Sequence, residues 1–96
     1  MYTSQSTLIP SRDLMMRFEP DLDGGTLFLF HIATNRMFTA DAEAHALLEL
    51  LDGQRTLGQV CDRFRAWYPA LEPDAIAGKV AHLTSQLLAL DCLEEP

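Results

Sequence analysis

The chain has 96 residues, 48% of them hydrophobic and 22% charged, with a formal net charge of −7. That length makes one domain with a modest core, and that charge disfavours nucleic acid, whose binders present a basic face to phosphates. Two cysteines, Cys61 and Cys92, are too few and too far apart for a disulfide framework or a metal cluster.

Residues 1–11 are rich in Ser and Thr and are expected to form a flexible arm ahead of a domain over 12–96. No secretory signal is read there, because residues 1–13 hold only Leu8-Ile9 as an apolar pair. No apolar stretch approaches the length of a membrane span, so a cytoplasmic chain with reduced thiols is expected.

From Asp13 to Glu19 the pattern has a period of two, with Leu14, Met16 and Phe18 on one face, which predicts a half-buried strand. Pro20-Asp-Leu-Asp-Gly-Gly25 supplies a turn. Thr26–Ile32 is apolar on both faces except for His31, which predicts a central strand covered on both sides or nearly so. Ala33-Thr34-Asn35 is a tight turn, Asn tolerating left-handed backbone angles, and Arg36–Ala40 is a short third strand.

Asp41 is placed to cap the first helix, in which Ala44, Leu47, Leu48 and Leu51 form one buried stripe. Asp52-Gly53 stops it, with Gly53 as a left-handed cap. Thr56 and Gln59 spell a capping box for the second helix, whose stripe is Leu57, Val60, Cys61, Phe64 and Trp67 or Tyr68. Pro69 ends it. Pro73 opens the third helix. Its main stripe is Ile76, Val80, Leu83, Leu87 and Leu90, with a flanking arc of Ala77, Ala81, Thr84 and Leu88. Those small residues either leave a shallow groove or let a neighbouring helix approach closely.

Catalytic chemistry is not legible. His31, His45 and His82 are dispersed, Gly24-Gly25 has no following helix to cradle phosphate, and the calcium-like acids of the first turn lack the later oxygen ligands. Carboxylate pairs such as Asp41/Glu43 and Glu94/Glu95 read as solvated helix-end charges. No enzymatic activity is expected of the chain alone.

The apolar strand, the hairpin and the run ADAEAHALLELLDGQRTLGQVCDRFRAWYP resemble the PqqD-like family. The shared marks are Asp52-Gly53, Arg55-Thr56-Leu57 and Tyr68-Pro69, and the likeness spans about residues 12–93. Asp41 and Glu43 stand where the family often has Asn and Thr.

The resemblance implies an α+β, winged helix-turn-helix fold of three antiparallel strands followed by three helices. It implies a recognition element that binds the leader of a ribosomally made precursor peptide for a modifying enzyme, often a radical S-adenosylmethionine protein, with no cofactor of its own. Strand addition along Arg36–Ala40 would then use Arg36, Met37, Phe38, Thr39 and Ala40 as the edge. Ala77, Val80, Ala81, Thr84 and Leu88 would line the groove beside it. Two other readings are a winged-helix DNA-binding regulator and a structural subunit of a larger enzyme. An exposed edge strand can also pair weakly with a second copy.

Overall fold

A computed structural model describes residues 5–96. Its centre is a three-stranded antiparallel sheet in the order β2-β3-β4, formed by β2 (Leu14–Glu19), β3 (Thr26–His31) and β4 (Arg36–Asp41). Three helices follow: α1 (Ala42–Leu50), α2 (Leu57–Trp67) and α3 (Pro73–Ala89). The architecture is α+β, as expected. A second small sheet, absent from the sequence reading, pairs β1 (Ile9–Pro10) with β5 (Leu93–Glu94).

The turns form where turn residues stand. Asp23, Gly24 and Gly25 take positive φ in the first hairpin and Asn35 does so in the second, at 54°. Asp41 caps α1 by accepting from the Ala44 amide at 3.0 Å. Thr56 and Gln59 close the capping box reciprocally, at 3.2 and 2.9 Å. Thr56→Ala removes one half of that box and is expected to cost about 1 kcal/mol. A thermal melt would read this as a loss of about 4–8 °C.

Leu27 and Leu29 of β3 point at the helices and are fully or almost fully buried, with Leu47, Val60, Phe64, Ile76 and Val80 closing over them. Trp67 is 49% exposed while Tyr68 packs on the core, so Tyr68 completes the α2 stripe. The central strand β3 is covered on one side only, and Phe28 and Phe30 are half-buried beside the exposed Met15 and Met37. The helices pack over the other face, where Leu27 and Leu29 share one core with Leu47, Val60, Phe64, Ile76 and Val80.

The arm expected over 1–11 is not loose from residue 5 onward. Leu8 is fully buried, Ile9 pairs with Glu94, and Thr7 bridges to Thr56. One apolar pair in a polar run is enough to seat the segment, because its backbone groups also find partners: the Leu8 carbonyl accepts from Gly53. Residues 1–4 lie outside the described residues. Gly53, at φ 79°, sits two residues beyond the C-cap Leu51 instead of capping α1 itself. A Cβ there would meet Ile9 Cγ2 at 2.9 Å.

Candidate functional site

β4 is the outer strand of its sheet, and among the described residues no strand pairs with its far edge. Side chains alternate along it: Phe38 and Ala40 face the helices, opposite Leu29 and Leu27, while Met37 and Thr39 face outward, opposite Phe30 and Phe28. Met37 is 68% exposed. Along the inner side of this edge runs a groove of about 230 Å³. The strand contributes Phe38, Thr39, Ala40 and Asp41, and α3 contributes Leu83, Gln86, Leu87 and Leu90. Leu29 and Ala44 complete the lining.

Charged groups lie towards the start of α1. Glu43, in its first turn, holds Lys79 of α3 at 2.7 Å. That contact, more than any other, raises the Lys79 ammonium above its ordinary pKa. The ammonium also stands over the Tyr68 ring at 5.7 Å from its centroid. Burial, then the Glu43 carboxylate, pushes the Tyr68 hydroxyl up. This cluster ties the α2 end, α1 and α3 together.

The expected site residues divide accordingly. Arg36, Met37, Phe38, Thr39 and Ala40 lie on β4, and Phe38, Thr39 and Ala40 line the groove itself. Val80 and Thr84 are buried in the core, at 2% and 4% exposure. Ala77 and Ala81 are exposed and Leu88 is half-buried, and none of the three lines the groove.

The reason is rotational. At about 100° per residue, Lys79, Leu83, Gln86 and Leu90 fall about 60–120° to one side of Val80, and Ala77, Ala81, Thr84 and Leu88 about 40–100° to the other. The groove borders the first flank, whereas the small-residue arc is on the second. Leu83, Leu87 and Leu90 belong to the expected core stripe, and Gln86 lies outside both expected arcs. The opposite charges of Glu43 and Lys79 were the one signal that could have chosen the flank.

Thr84 Oγ1 is buried with no hydrogen-bond partner among the described residues. Removing an unpaired buried hydroxyl while keeping its shape relieves a desolvation cost of about 1 kcal/mol or more. Thr84→Val is therefore expected to raise the melting temperature by about 4–8 °C. An unchanged or lower value would mean that the hydroxyl is satisfied.

The Asp52–Thr56 hinge has structural work of its own. Asp52 Oδ1 accepts from the amides of Gln54 and Arg55 at 3.0 and 2.8 Å, and these bonds hold its carboxyl below the ordinary carboxylate pKa. The Arg55 guanidinium reaches Asp52 Oδ2 at 3.1 Å and the Leu50 carbonyl at 3.3 Å. Arg55 thus satisfies an end carbonyl of α1. Among the described residues no group of three or more His, Cys, Asp or Glu side chains could hold a metal ion. No helix among them is long and apolar enough to cross a membrane.

Comparison with known proteins gives two matches. Residues 26–93 match the family model for coenzyme PQQ synthesis protein D (PqqD). The fold is similar to that of TbiB1, a protein solved in complex with the TbiA(beta) leader peptide. That similarity has a TM-score of 0.75 at 19% identity and covers 90% of this chain and 94% of the other. No curated protein sequence matches the chain.

Proposed function

The chain belongs to the PqqD family, and from that premise we propose that it binds the leader of a ribosomally made precursor peptide by strand addition to β4. The observation that carries this reading is the coincidence of an unpaired strand edge with an apolar groove along its inner side. Main-chain hydrogen bonds to β4 supply general affinity, and alternate leader side chains enter between Phe38 and the Leu83–Leu90 flank. The fold likeness to TbiB1, solved in complex with a leader peptide, supports leader binding by a domain of this fold.

The bound leader is presented to a separate modifying enzyme, of the radical S-adenosylmethionine class, in the cytoplasm. The chain itself performs no chemistry in this reading and needs no cofactor. Magnitudes agree with a carrier that must release its peptide. Four ladder bonds at about 1 kcal/mol each and two apolar anchors at about 1.5–3 give about 7–10 kcal/mol. Ordering the leader costs about 2–5 of that, which leaves micromolar affinity or weaker.

Calorimetric titration of the full chain with the precursor's leader, alone and with the modifying enzyme present, tests the proposal. Saturable heat in the micromolar range is expected. No heat under both conditions would end it.

A further inference from the structure

On the outer face of the sheet a second depression, of about 540 Å³, adjoins the same strand edge. Leu22, Asp23, Thr26 and Phe28 line it, and it shares Thr39, Ala40 and Asp41 with the groove. The two hollows therefore flank one edge, and a strand added to β4 would turn successive side chains alternately into each.

The outer hollow combines an apolar floor with unneutralised negative charge. Leu22 is 45% exposed and Phe28 half-buried. Among the described residues neither Asp23 nor Asp41 is in an ion pair. One Asp41 oxygen accepts from the Ala44 amide. Lys79 is near enough to feel the Asp41 charge, but its ammonium is held on Glu43 at 2.7 Å. The neighbouring Glu19 is occupied by Arg17. A Lys or Arg side chain fits this combination, its alkyl stem lying on Phe28 and Leu22 and its cationic head meeting the two carboxylates. A second copy of this chain fits poorly, because each copy carries a charge of −7.

We propose that the bound leader is read from both sides of β4: two apolar side chains, two residues apart, enter the groove, and the residue between them is a Lys or Arg that crosses the outer hollow to Asp23 and Asp41. This inference rests on the leader-binding reading above and adds a sequence requirement, apolar–basic–apolar, to it.

The test is selection of a phage-displayed random-peptide library on the full chain and on the double variant Asp23→Asn/Asp41→Asn. Asn preserves the cap of α1 and tolerates the φ of 51° at position 23. Wild-type selection is expected to enrich the apolar–basic–apolar triplet, and selection on the variant to keep the apolar pair without the basic residue. A synthetic peptide bearing the enriched triplet should bind the variant about three- to tenfold more weakly, with less sensitivity to salt. Enrichment of alternating apolar residues with no basic preference would overturn the proposal and leave leader binding standing. So would a basic preference that survives in the variant. No enrichment on the wild-type chain would overturn both.

Discussion

Phe38→Asp is expected to weaken leader binding at least 100-fold while the sheet stays assembled. Phe38 sits in the middle of β4 on its inner side, opposite Leu29, and lines the groove between the strand and α3. Losing its ring removes an anchor surface worth about 1.5–3 kcal/mol. The new carboxylate must then lose water when an apolar leader side chain lies on it, which adds a further cost. Together these exceed the roughly 2.8 kcal/mol that corresponds to a hundredfold change. Because Phe38 also packs partly against the core, Phe38→Ala serves as the paired variant, with circular dichroism to confirm that each is folded. Undiminished titration by a folded Phe38→Asp protein would remove β4 as the binding edge. It would favour a subunit that stabilises a larger assembly without touching peptide.

The largest effect on stability is expected at Phe64, in the middle of the α2 stripe. Its ring is fully buried and makes tilted contacts with Trp67 and Tyr68, at 5.2 and 5.9 Å between centroids. Through Tyr68 it also supports the cluster with Glu43 and Lys79. Phe64→Ala opens a cavity beneath all three helices and is expected to cost about 3–5 kcal/mol. A domain of this size has stability towards the lower end of about 5–15 kcal/mol, so the variant should melt at least ~12 °C lower. It should also bind leader more weakly even where it remains folded, because the Lys79 flank loses its support. A shift of only a few degrees would show that the surrounding side chains collapse into the space.

Much of the fold was legible because its signals are local. The period of two in Leu14, Met16 and Phe18, Asn35 in the turn, Asp41 and Thr56 as caps, and Pro73 at the helix start each act within a few residues. The family marks proved structural: Asp52, Gly53 and Arg55 close the passage from α1 to α2 through bonds to backbone amides and carbonyls. The expected edge strand is the outer strand β4, but the groove beside it is lined by Phe38, Thr39 and Ala40 of that strand and by none of the α3 residues expected to line it. Register along this six-residue strand is specified because one of its faces is buried.

What the sequence determined by itself is therefore the order of the three main strands and three helices, their N-terminal caps and hairpin turns, the family and the strand at the edge. Tertiary structure alone decided which flank of α3 meets that strand. A helix with one apolar stripe has two flanks, and periodicity places residues on them without saying which will face a given neighbour. The choice depends on how the buried stripe of α3 rolls against α1 and β4, and the contact that marks the outcome, Glu43 with Lys79, joins residues thirty-six positions apart in sequence. The same holds for the pairing of Ile9 with Glu94 and the burial of Leu8. A two-residue strand has no periodicity to read and exists only because its partner at the other end of the chain is folded beside it.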